Sequence, residues 1–77
     1  MLKMKYIEVK NPPIRLGQFL KLANLVQDGV EAKIRIQDGE VMVNSTVETR
    51  RGRQILEGDT ITYNGQNRTV RIAPPSP

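Results

Sequence analysis

The sequence predicts an α+β domain, a helical pair packed on a small, largely antiparallel sheet. Three observations predict it. Apolar residues from Leu16 to Ile36 recur at helical spacing, they change to strand alternation after Gly39, and one β-branched stretch, "KYIEVK", stands in front. Helices followed by strands, with a single strand ahead of them, is the order of an α+β fold. With 77 residues there is room for one domain. A chain of this size buries only roughly 60% of its unfolded surface, so the core is modest.

In "KYIEVK" the β-branched residues and the stop at Pro12-Pro13 predict a short edge strand. Leu16, Phe19, Leu20 and Ala23 then fall at i, i+3, i+4 and i+7, one side of a helix over about residues 15 to 25. Gln18, Lys21 and Asn24 share its wet side. Asp28 and Glu31 read as an acidic capping box opening a second helix, and Gly39 ends it. The few residues around Leu25 to Asp28 force the helices into a tight pair.

Val41 to Val43 and Thr46-Val47 flank Asn44-Ser45 as a hairpin with a two-residue turn, in which Ser45 is an imperfect choice. A second hairpin joins "TITY" to "RTVRI" through Asn64-Gly65, with room for a loop a residue or two longer. "APPSP" has nothing to bury and lacks ladder donors at its prolines, so a frayed tail is expected over 74–77 and a single domain over 1–73.

Composition narrows the function. The chain has no cysteine and no histidine, which removes disulfides, thiolate chemistry, the usual general base and the commonest metal ligand. Ser45 and Ser76 have no histidine to activate them, and the carboxylates show no metal-loop spacing. No enzyme, metal site or cofactor is therefore expected. The start is too charged for a secretory signal and no stretch approaches membrane-spanning length, so a cytoplasmic protein, most simply a monomer, is expected. Twelve Lys and Arg against eight acids give +4, which permits a polyanion partner without requiring one.

Charge placement has to decide. Wound at about 100° per residue, the second helix carries Ala32 with Ile36 and Val30 with Ile34 on nearly opposite sides, which predicts burial on both. Between them, Glu31, Arg35 and Asp38 can neutralise one another, whereas Lys33 shares its strip with Gly29 and Gln37 and remains a free cation. Lys33 thus ranks above Arg35 as a phosphate contact. Arg15 stands at the start of the first helix, where an external anion would relieve its conflict with the helix dipole. Lys21 suits either binding or plain solvation. In "VETRRGRQILEGD", Arg50, Arg51 and Arg53 surround Gly52, which lets the backbone turn so that the guanidinium groups can fan around an anion. The bland reading is that Glu48, Glu57 and Asp59 hold these arginines in surface ion pairs. Gly58-Asp59 reads as turn geometry alone.

Taken in order, "RLGQFLK", "EAKIRIQDGEVMVN", "VETRRGR" and "EGDTI" resemble the S-four-type RNA-binding domain over about residues 14–63, and most of all its free-standing bacterial branch. The resemblance implies an alpha-L motif whose helical pair and post-hairpin loop form a basic surface for structured RNA, ribosomal or transfer RNA above all. It places Arg15, Lys21, Lys33, Arg50, Arg51 and Arg53 at basic positions of the pattern. The chain departs from the family at Gly17, often an acid, and at Asp28-Gly29, often a Ser-Arg pair. Such a surface meets phosphates and 2′-hydroxyls rather than reading bases in a deep, narrow groove. With only Tyr6, Tyr63 and Phe19 as aromatics there is no platform for stacking single-stranded bases. The competing readings are a protein-interaction module docking an acidic partner in an RNA-processing or ribosome-assembly complex, and a DNA-binding accessory protein.

Overall fold

The structure is a computed structural model that describes residues 5–73. Strand β1 (Tyr6–Val9) is followed by a two-residue strand β2 (Ile14–Arg15) that runs straight into helix α1 (Leu16–Leu22), and then by helix α2 (Gly29–Gln37). Strands β3 (Val41–Val43), β4 (Thr46–Val47), β5 (Gln54–Ile55), β6 (Thr60–Tyr63) and β7 (Gln66–Ile72) complete the chain. The main sheet has the order β1-β7-β6-β3-β4, antiparallel throughout except for β1, which lies parallel to β7 at one edge with Tyr6 opposite Thr69. A helical pair and a largely antiparallel sheet are thus present as predicted, and the first strand is an edge strand. The expected tail at 74–77 lies outside the described residues.

The α1 stripe faces inward as its spacing requires. Leu16, Phe19, Leu20 and Ala23 are all buried, and with Ile36, Val41, Ile61 and Val70 they make up the centre of the core. Each of the larger of these side chains, fully removed from water, contributes about 1.5–3 kcal/mol.

Both helices stop in the same way. Asn24 takes a left-handed φ of 61°, Leu25 N donates to Leu20 O at 3.0 Å and Asn24 N to Lys21 O at 3.0 Å, a Schellman ending that halts α1 before the predicted residue 25. Gly39, at φ 78°, repeats it for α2, with Glu40 N donating to Arg35 O at 3.1 Å. At the start of α2, Asp28 accepts from Glu31 N at 2.9 Å, while Glu31 reaches back one residue further than the predicted box, to Gln27 N at 2.8 Å.

One expectation about α2 is overturned. Ala32 and Ile36 are buried, but Val30 and Ile34 are 69% and 49% exposed. A domain with so few layers has only α1 and the sheet to offer on one side of α2, so its second apolar strip faces solvent.

Both hairpins have two-residue turns. Asn44 and Ser45 adopt φ 52° and 69°, and Asn64 and Gly65 adopt 54° and 76°. Asn44 is fastened twice more: its side chain accepts from Thr60 N at 2.9 Å and donates to Asp59 Oδ1 at 2.9 Å. Asp59 also accepts from Leu56 N, which makes the Gly58-Asp59 pair the turn the sequence predicts. Ser45 carries a Cβ in a left-handed conformation that the second hairpin gives to glycine. Ser45→Gly is therefore expected to stabilise the domain by up to about 1 kcal/mol, read as a rise of a few degrees in thermal midpoint.

The small sheet formed by β2 and β5 has no counterpart in the sequence reading. Ile14 pairs with Ile55 and Arg15 with Gln54, which brings the chain just after the arginine segment against the start of α1.

Candidate functional site

The first helix lacks a Ser, Thr, Asp or Asn at its N-cap; Arg15 occupies that place. Its orphan amides are satisfied from far away in sequence. Leu16 N donates to Arg53 O at 2.8 Å and Gly17 N to Arg51 O at 3.1 Å, while Gln18 Oε1 accepts from Arg15 N at 3.0 Å. The Arg15 guanidinium, reaching across 37 residues of sequence, donates to Gly52 O at 2.7 Å. Carbonyls of the arginine loop thus provide the negative ends that this helix start needs. The expected unmet demand for an external anion at Arg15 is answered from within the protein.

Gly17 makes the close approach possible. A Cβ there would lie 2.8 Å from Arg51 Cγ, so the aliphatic stem of Arg51 rests directly on the helix backbone. The departure from an acid at this position therefore has a structural consequence: it lets the loop settle on α1.

Between α1, the start of α2 and the loop lies a hollow of about 350 Å³, lined by Arg15, Gly17, Gln18, Lys21, Gly29 and Arg51, together with Ala32 and Gly52. The structure thus brings Arg15, Lys21 and Arg51 together. Lys33 stands one helical turn beyond Gly29 on the same strip of α2, exposed and without an ion pair among the described residues. Arg35 is paired as expected with Glu31, at 3.8 Å, though its second partner is Glu40 at 3.3 Å rather than Asp38.

Arg50 and Arg53 have a different environment. Glu48 follows β4 with its amide donating to Val41 O at 3.0 Å, which turns its side chain inward until only 9% is exposed. Its Oε2 accepts from Arg50 Nε and N, both at 3.0 Å; its Oε1 accepts from Arg50 Nη2 at 3.2 Å and Arg53 Nη1 at 3.0 Å. The hydrogen bond from the Arg50 side chain, helped by the Arg50 amide and by Arg53 and opposed by burial, lowers the Glu48 carboxyl from 4.5 to about 2. The ion-pair reading therefore holds for two of the three arginines and for one of the three acids. Glu57 and Asp59 serve backbone amides instead, at Ile72 and Leu56. Even so, one carboxylate faces two guanidinium groups, and the Arg50 side chain is still 77% exposed. Glu48 orients these cations and leaves the loop net positive.

Sequence reasoning named Glu48 among three acids that could pair with the arginines, but missed Gly17, Gln18 and Gly29 as liners of the hollow. The available signal was the set of glycines at 17, 29 and 52, each beside a predicted basic residue or helix start.

Two short helices, the hairpin after them and a basic loop folded back on the first helix form the alpha-L arrangement. The chain belongs to the S4 domain family, whose model matches residues 7–72. It is 42% identical over 59 residues to RlbA of Bacillus subtilis, named a probable ribosome maturation protein, an overlap of 77% of this chain and 83% of that one. It is 38% identical over 58 residues to YbcJ of Escherichia coli, covering 75% of this chain and 83% of that one. The solution structure of YbcJ, described as revealing an alpha-L motif involved in RNA binding, matches with a TM-score of 0.68 at 35% identity over 95% of this chain and 92% of the other.

Proposed function

We propose that this chain is a non-catalytic RNA-binding module, acting as a cytoplasmic monomer on structured RNA of the ribosomal or transfer class. Arg15, Lys21, Lys33, Arg50, Arg51 and Arg53 contact phosphates and 2′-hydroxyls. The observation that carries the reading is the convergence of Arg15, Lys21 and Arg51 on one hollow, with the arginine loop fastened to α1 by backbone hydrogen bonds. A cationic surface held by backbone needs little ordering on binding, so its electrostatic attraction for a polyanion is not offset by lost loop entropy. The described alpha-L motif of YbcJ and the ribosome-maturation name of RlbA support RNA as the partner.

Titration of a structured RNA at several salt concentrations tests the proposal. Affinity should fall steeply with salt, each phosphate contact adding nearly one unit to the log-log slope. Arg51→Ala should weaken binding about tenfold, the loss of one charge-assisted hydrogen bond, and reduce the slope by about one. Because Arg51 is exposed and only its stem packs, on Gly17, stability should fall by no more than about 1 kcal/mol in thermal unfolding. Affinity independent of salt would remove RNA as the ligand.

A further inference from the structure

We infer that the hollow between α1, α2 and the arginine loop receives a single unpaired nucleotide extruded from an RNA helix. The inference rests on the RNA-binding reading above and specifies which structured RNA fits.

Shape is the first argument. A duplex backbone is met by an extended surface, whereas this site is a concavity of about 350 Å³, at the small end of the roughly 300–1,000 Å³ of small-molecule sites. Three of its liners, Gly17, Gly29 and Gly52, lack side chains. A Cβ on Gly29 would find nothing within 4 Å, and Gly17 leaves its space to the stem of Arg51.

The walls supply the second argument. The Arg15 guanidinium is fixed by Gly52 O and the stem of Arg51 lies on Gly17, so one planar cation is held in place and a second is carried to the same hollow, to stack on a base or grip its phosphate. Gln18 uses its Oε1 on Arg15 N, which leaves its amide N–H groups as donors for an acceptor on the base edge. Lys21 stands at the rim as a phosphate partner.

Third, the aromatic side chains exclude a track for consecutive bases. Phe19 is fully buried, Tyr63 packs against the core, and Tyr6, on the edge strand, lies under the Arg71 guanidinium at 4.4 Å. A site with guanidinium planes and no exposed aromatic row suits one base at a time. An unpaired nucleotide is also the cheapest to extrude, since no base pair has to be broken.

The test compares two hairpin RNAs of the same stem sequence, one fully paired and one with a single-nucleotide bulge. The bulged RNA should bind roughly tenfold more tightly, as expected if one stacked base contributes an extra contact. Gly29→Leu, which places a side chain in the open hollow, should bring that ratio close to one. As a second readout on the natural chain, 2-aminopurine at the bulge should change its emission on saturation, while the same analogue within the paired stem should not. Equal affinity for the two RNAs, an unchanged ratio in a folded Gly29→Leu variant, or a silent 2-aminopurine would each overturn the inference and leave the RNA-binding reading standing. Failure of both RNAs to bind in a salt-dependent manner would overturn both.

Discussion

Alanine at Arg50 and Arg53 together is expected to destabilise the domain by about 3 kcal/mol at neutral pH, a fall of roughly 10–20 °C in thermal midpoint. An arginine loop read from sequence alone invites the opposite expectation, that such changes touch binding only. The difference lies in Glu48, whose side chain is 9% exposed and which meets both guanidinium groups at 3.0 Å. Removing them leaves a desolvated carboxylate with little more than the Arg50 amide for company. The figure belongs at the low end for a broken buried pair because Arg50 itself stands largely in solvent, where screening weakens its share.

The pH dependence gives this prediction a sign that ordinary loss of packing lacks. In the natural chain the folded carboxyl is depressed from 4.5 to about 2. Its contribution, roughly 2–3 kcal/mol, is present above pH 4.5 and is lost as pH falls through 2. In the double variant the guanidinium groups that depress the carboxyl, and that also cover it, are gone, so its folded value returns toward the unfolded one. On this group's account that variant should therefore keep a nearly flat stability through the acid range, while the natural chain loses stability below 4.5. Denaturant unfolding of both proteins at a series of pH values checks the convergence in acid; parallel curves would mean that Glu48 is not the group the two arginines hold.

Phe19→Ala should cost more, about 3–5 kcal/mol, because the ring is fully buried and the space it leaves cannot be refilled by backbone. For a domain of this size the change corresponds to roughly 15–30 °C, enough to leave a population unfolded at physiological temperature. Thermal unfolding followed by circular dichroism measures it. A loss below about 1 kcal/mol would place Phe19 outside the centre of the core.

Features governed by local rules were legible in the sequence. The stripe Leu16, Phe19, Leu20, Ala23 obeys helical spacing, and both turns obey the requirement for positive φ, so each could be placed from a few residues. The ending at Asn24 was harder, because an asparagine on the wet side of a helix looks like any polar residue until its φ is known. Val30 and Ile34 misled for a related reason: periodicity shows that two apolar strips exist, but only the arrangement of neighbours decides which one is covered.

The candidate site was legible in its residue types and only partly in its geometry. Arg15, Lys21 and Arg51 share the hollow, while Arg50 and Arg53 turn toward Glu48. Three acids flank the arginine segment, and although Glu48 is the nearest in sequence, nothing in their spacing says that it alone would be drawn inward. That choice depends on the strand before it, whose register sends position 48 toward the core side. The pairing of β2 with β5 was invisible for want of length, since two residues show no periodicity.

Because α1 takes its missing cap from carbonyls at Arg51 and Arg53, the cationic loop and the first helix cannot be uncoupled. Detaching the loop would strand two amides at the head of a helix only seven residues long. Candidate surface and scaffold are therefore tied together: loosening the loop deprives the helix of two amide partners, and a mutation that frays one end of this arrangement is felt at the other.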